Sequence, residues 1–298
     1  MAAITIRDVL PRDGLQRERL IDPIRRAELA VALADAGVAH VEAASFVSAM
    51  AVPSMADGGG VMAALPVRDD VTWWALVPNP KGTELALNAG VTHLTLTISA
   101  SDEYSRKNVG RSTNEAIEQL GAVGSIVGSR AAIDIVISCA FGSPFDDVDN
   151  PEMTRDLVDR ALDAIPLARL TLADTTGTAT PRRISEVITN LPGAAHRDLG
   201  LHLHDTRGTA LVNALAGIEI GITRFDTSTG GLGGSPFAPG AGGNLATEDL
   251  VLMLHDLGHD TGIDLDAILA ISRGLTTLVG HDVPSRVSSA GPLPGFGS

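Results

Sequence analysis

Eight short runs of apolar and β-branched residues recur along the chain, at Ile4 to Val9, Val38 to Ser45, Val71 to Val77, Thr92 to Ile98, Ala132 to Ser138, Ala168 to Ala173, Leu199 to His204 and Thr223 to Ser228. Between them lie stretches with helical punctuation: Pro23 to Ala36 ending at Gly37, Asn114 to Val127, Pro151 to Ile165, and Asn244 leading into Leu245 to Leu257 before Gly258. Apolar runs of strand length alternating with helices suit a parallel sheet covered on its faces, because a strand buried on both sides shows no polar alternation. Eight units over 298 residues is about 37 residues each, the size of a (β/α)8 barrel. A single-domain α/β TIM barrel over residues 1–283 is therefore the expected fold, with a doubly wound open sheet as the competing architecture. Residues 284–298, rich in Pro, Gly and Ser, read as a loosely held C-terminal tail.

Composition narrows the partners. A formal charge of −14 argues against nonspecific binding to nucleic acid or an anionic membrane, both of which need a basic surface. An anionic substrate would need a local cluster of Arg and Lys. No apolar run reaches the ~20 residues that cross a bilayer. The single cysteine, Cys139, forms no intrachain disulfide and reads as a small buried residue on the fifth strand, and the N-terminus has no secretory pattern. These features describe an intracellular, cytoplasmic protein.

In a barrel, chemistry gathers at the C-terminal ends of the strands. Arg12 and Asp13 follow the first strand, Glu42 lies on the second, Asp174 and Thr175 end the sixth, and His202 and His204 end the seventh. A glycine-dense loop, residues 230 to 244 with Ser235 in its middle and Asn244 at its end, follows the eighth. Two histidines at i and i+2 of a strand share one face with Cα atoms ~6.5 to 7 Å apart, close enough to converge on one ion. Asp13, His202, His204 and Asn244 together offer a carboxylate, two imidazoles and an amide oxygen, a mixed set suited to a divalent metal with positions left open for substrate. Spacing alone does not choose among Mg²⁺, Mn²⁺, Fe²⁺, Co²⁺ and Zn²⁺. Each residue also has a purely structural reading: either histidine as a satisfied core residue, Asn244 as the N-cap of the following helix, and Asp13 as the ion-pair partner of Arg12. The glycine loop is not a dinucleotide-binding fingerprint, since Pro236 stands where the third glycine belongs.

At these residues the chain resembles the 3-hydroxy-3-methylglutaryl-CoA lyase family. The similarity runs through Pro11-Arg12-Asp13-Gly14-Leu15-Gln16, Val41-Glu42-Ala43-Ala44-Ser45-Phe46, Pro78-Asn79, Lys107-Asn108, Ser138-Cys139-Ala140-Phe141-Gly142, Asp174-Thr175-Thr176-Gly177, His202-Leu203-His204-Asp205-Thr206, the glycine loop, and Asn244-Leu245-Ala246-Thr247-Glu248-Asp249-Leu250. The resemblance implies a metal-dependent carbon–carbon lyase that cleaves 3-hydroxy-3-methylglutaryl-CoA, or a close 3-hydroxyacyl-CoA relative, into acetyl-CoA and a keto acid by a retro-aldol step. An aldolase or condensing enzyme of the same barrel group, or a catalytically weakened metal- or CoA-binding paralogue, is the alternative. It further implies Asp13, His202, His204 and Asn244 as ligands of Mg²⁺ or Mn²⁺, Arg12 supporting the thioester carbonyl, Glu42 ordering the surroundings, and a homodimer. The family's proton donor is a cysteine in the glycine loop, where this chain has Ser235, and Leu10, Arg17 and Phe237 also depart from the family pattern. For the CoA phosphates the candidates are Arg17, Arg19, Arg106, Lys107 and Arg111, in loops leaving the predicted strand ends.

Overall fold

The computed structural model describes residues 3–145, 151–234, 240 and 242–291. Eight parallel strands close into a barrel in sequence order: β1 (Thr5–Asp8), β2 (His40–Ser45), β3 (Thr72–Leu76), β4 (His93–Ser99), β5 (Ala132–Ser138), β6 (Arg169–Asp174), β7 (Gly200–Leu203) and β8 (Arg224–Thr227). The ring is sealed where Thr5 to Asp8 of β1 pair in register with Arg224 to Thr227 of β8. Around it lie α1 (Pro23–Asp35), α2 (Gly58–Ala64), α3 (Pro80–Asn88), α4 (Asp102–Val109), α5 (Thr113–Val127), α6 (Pro151–Ala164), α7 (Pro181–Thr189), α8 (Ala210–Glu219), α9 (Thr247–Asp256), α10 (Leu265–Val279) and α11 (Arg286–Ala290).

Local chemistry sets the boundaries. Helix α1 starts where the Asp22 side chain accepts from the Ile24 amide at 2.8 Å, with Pro23 already at the helical φ. It stops at Gly37, whose φ of +94° is left-handed and where a Cβ would collide with the Gly262 carbonyl. Helix α5 opens with a capping box between Ser112 and Glu115.

Two cores result. Aliphatic side chains such as Leu94, Ile135, Leu172 and Leu201 fill the shell between strands and helices. The barrel lumen is charged instead. Arg7 of β1 pairs with Asp134 of β5 at 2.9 Å, and since these strands stand opposite each other in the closed ring, the pair crosses the interior. Arg224 of β8 reaches the same carboxylate at 2.8 Å, and the fully buried Trp74 lies against the Arg7 guanidinium, 4.9 Å from ring centre to carbon.

The segment from Pro284 is anchored further than its composition suggests. Ser285, buried, donates to Asp249 of α9 at 2.8 Å, and the Arg286 and Val287 amides donate to the same carboxylate. That carboxylate organises α11, and residues 292–298 lie outside the described part of the chain. Cys139 is buried but stands one residue past β5 at a left-handed φ of 55°, its amide donating to Thr175 Oγ1. Among the described residues, no helix is long and apolar enough to cross a membrane.

Candidate metal and acyl-CoA site

The first strand ends in a π-helical turn, Leu10–Gly14, in which the amides of Arg12, Asp13 and Gly14 all point at the Val9 carbonyl. Such wide turns re-aim side chains, and this one delivers Arg12 and Asp13 to the barrel mouth. Asp8 fixes it. One carboxylate oxygen accepts from the Leu10 amide at 2.8 Å, and the other accepts from the Thr229 hydroxyl at 2.6 Å and the Thr247 hydroxyl at 2.7 Å. This ties the start of the barrel to the loop after its last strand.

His202 lies within β7 and His204 just beyond it. The chain returning from the glycine loop pairs antiparallel with that end, His204 against Asn244, with the Leu245 amide donating to the Leu203 carbonyl at 2.8 Å. The pairing brings Asn244 to the mouth. It is not the cap of α9, because that helix begins after Ala246 without a side-chain cap, so the N-cap reading of Asn244 fails.

Asp13, His202 and His204, all buried, each offer a ligand atom within 4.8 Å of the others. Asp13 accepts from Arg12 at 2.6 Å, Gln16 at 2.7 Å and the Asn244 amide at 2.6 Å. Burial alone would raise the Asp13 carboxyl, but Arg12 and the two histidines outweigh it and hold it below the usual carboxylate range. Burial, then the neighbouring His202, push His204 down to about 4, which leaves its imidazole neutral.

The arrangement fits a cation. His202 Nδ1 faces the Asp226 carboxylate at 3.2 Å and His204 Nδ1 faces the Gly242 carbonyl at 3.1 Å. Both partners only accept, so both Nδ1 atoms carry the proton. With both rings neutral, the two Nε2 lone pairs then meet at 3.1 Å, an acceptor against an acceptor, which a positive centre between them resolves, either a metal ion or a proton shared by the two nitrogens. Asn244, whose amide donates to Asp13, leaves its buried Oδ1 without a hydrogen-bond partner among the described residues.

Arg12 sits between Asp13 and Glu42, its Nε donating to one Glu42 oxygen while the other is buried without a hydrogen-bond partner among the described residues. Its side chain is partly open to the mouth. Asp174 ends β6, one oxygen accepting from the Thr178 and Ala179 amides, and burial pushes its carboxyl up to about 6.

A family model described as HMGL-like matches residues 3–275. The chain belongs to that family. It is 41% identical to the (R)-citramalyl-CoA lyase of Chloroflexus aurantiacus, over 98% of this chain and 96% of that protein. It is 38% identical to the hydroxymethylglutaryl-CoA lyase of Pseudomonas mevalonii, over 97% of each. A solved HMG-CoA lyase from A. baumannii, in complex with coenzyme A and 3-methylmalate, superposes with a TM-score of 0.92 at 36% identity, covering 99% of this chain and 97% of that one. The HMGL-like chain is thus a carbon–carbon lyase by family.

Most of the residues expected at the CoA phosphates are engaged with neighbours in the chain. Arg19 donates to the Thr277 and Leu278 carbonyls at the end of α10, a helix-terminus contact. Arg106 and Lys107 lie on α4, paired with Asp102 and Glu103 one turn back, and Lys107 also stands 4.1 Å over the Phe145 ring. Arg111 reaches the Val109 carbonyl, and Arg17 is exposed. Ser235 and Phe237 lie outside the described residues. Sequence reasoning missed Arg7, Asp8, Asp134 and Asp226. The signal was present, since a charged residue inside a run otherwise read as buried requires a partner.

Proposed function

We propose that this HMGL-like protein is a divalent-metal-dependent acyl-CoA lyase that splits a 3-hydroxyacyl-CoA carrying a second carboxylate, 3-hydroxy-3-methylglutaryl-CoA or the one-carbon-shorter citramalyl-CoA, into acetyl-CoA and a keto acid. The observation that carries it is the pair of Nε2 atoms facing each other at 3.1 Å beside Asp13 and the Asn244 oxygen, which has no hydrogen-bond partner among the described residues. Mg²⁺ or Mn²⁺ held by Asp13, His202, His204 and Asn244 would supply Lewis-acid charge that eases deprotonation of the substrate hydroxyl. The names of the relatives support the acyl-CoA substrate.

The chain's own groups supply the rest. In the retro-aldol step the hydroxyl loses its proton, the carbonyl of the keto acid forms, the C2–C3 bond breaks, and its electron pair passes to the thioester as an enolate. The Arg12 guanidinium, held by Glu42 and Asp13, would bind that developing oxyanion, and a prearranged donor needs no reorganisation when the charge appears. Ser235 is the proposed route of the proton that returns to the enolate carbon. CoA phosphates would meet Arg17, Arg106, Lys107 and Arg111 at the rim.

The test uses protein stripped of metal and resupplied with Mg²⁺ or Mn²⁺, given each thioester separately. Acetoacetate from the longer or pyruvate from the shorter substrate, together with acetyl-CoA, is the expected result. Background rates on both would reject the reading.

A further inference from the structure

The site does not end at its mouth. Behind His202 the lumen holds a line of alternating charges, every member almost wholly buried. His202 Nδ1 meets Asp226 Oδ2 at 3.2 Å. Arg7 grips that carboxylate with two parallel bonds, Nε to Oδ1 at 2.8 Å and Nη2 to Oδ2 at 2.7 Å, and its third nitrogen pairs with Asp134 at 2.9 Å. Asp134 is held in turn by Arg224 at 2.8 Å and the Thr171 hydroxyl at 2.9 Å. Arg224 finishes on the Leu170 and Asp198 carbonyls at 2.8 and 3.0 Å.

Two consequences follow from this geometry. The bidentate fork leaves the Asp226 carboxylate no freedom to rotate, because any rotation breaks at least one charge-assisted bond in a medium without water to replace it. A carboxylate in that position accepts and cannot donate, so it dictates which His202 nitrogen carries the proton and where the ring points. We propose that Asp226, clamped by Arg7 with Asp134 behind it, is the positioning residue that holds His202 as the Nδ1–H tautomer with Nε2 aimed at the metal site. Ligand quality at the mouth is then set from inside the barrel. A network serving barrel stability alone would leave metal affinity unchanged when its charge is altered.

This inference rests on the metal reading of the site but not on the reaction, and its test needs no substrate. Mn²⁺ affinity is measured by calorimetry at a temperature where each protein is folded, and the histidine tautomers are read from ¹⁵N imidazole spectra of the metal-free protein. Asp226→Asn offers one acceptor where two donors converge and turns an amide N–H₂ toward the other. It is expected to weaken the Mn²⁺ Kd by about 10- to 100-fold and to mix the His202 tautomers. Should that variant not fold, Arg7→Lys keeps the lumen charge while losing the fork, and is expected to weaken Mn²⁺ in the same direction by a smaller factor. A folded variant with Kd within about twofold of the parent and a single unchanged tautomer would overturn the proposal. Loss of lyase activity on every thioester would bear on the proposed reaction alone. Absence of Mn²⁺ binding by the unaltered protein would overturn the metal reading and the affinity claim built on it.

Discussion

Asp13 accepts hydrogen bonds from Arg12, Gln16 and Asn244 while lying against two imidazoles, so its removal should be felt first in metal binding. Asp13→Ala takes away the one carboxylate of the cluster, and a Mn²⁺ Kd at least ~100-fold weaker by calorimetry is the expected outcome. Arg12 acts on charge that appears only during reaction. Arg12→Gln should therefore lower kcat by roughly 10²- to 10³-fold with a smaller change in KM. Ser235→Cys replaces a weakly acidic hydroxyl with a thiol titrating near ~8.5, and steady-state kinetics should show kcat rising more than KM changes. The His202/His204 pair was legible from its spacing, and Asn244 from its place at the end of the glycine loop. Asp226 showed in the sequence only as a charge inside a buried run that needed a partner; which partner it takes was not legible, because only closure of the ring places it beside β7.

The glycine loop is shaped at its base. Gly233 has a φ of +113°, and a Cβ there would run into the Asn244 amide and the Asp13 carbonyl. Gly233→Ala should cost about 1–3 kcal/mol in unfolding free energy and weaken Mn²⁺ by displacing Asn244, both readable on one sample. On the far side of the loop, Gly230 donates to both oxygens of Glu248 at 3.1 and 3.0 Å, and burial pushes that carboxyl from 4.5 up to about 6. A folded-state pKa above the unfolded value means the unfolded chain ionises first, so this group opposes folding as pH rises and its effect is complete above about 6. Relative to Glu248→Gln, the parent should lose on the order of 2 kcal/mol between pH 4 and 7, measured by denaturant titration of both proteins. Element positions were readable: the predicted runs overlap all eight strands, since apolar period and caps are local. The π-helical turn after β1 was not, because it depends on Asp8 reaching Thr229 and Thr247 across the barrel seam.

The whole barrel is a shell around ion pairs instead of the aliphatic layers usual in this fold. Those pairs join β1, β5 and β8, so closure of the ring and placement of His202 are one event. A ligand that binds only the folded state stabilises it by mass action, about 2.7 kcal/mol at a hundred times its Kd. Mn²⁺ should thus raise the Tm of the parent protein by several degrees and leave Asp13→Ala unmoved. The helices expected from Pro23, Asn114, Pro151 and Leu245 overlap α1, α5, α6 and α9, whereas the pairing of charges across the lumen was not legible, because composition does not say which charges face one another inside the ring.

On the proposed function, the cluster at the mouth holds the ion on which lyase turnover depends. Titrating Mn²⁺ into metal-stripped protein while following keto acid release beside metal occupancy tests it most directly. Activity rising in step with occupancy and saturating at about one ion per chain is the predicted result; turnover that persists without metal, or that fails to appear when the site is full, would contradict it.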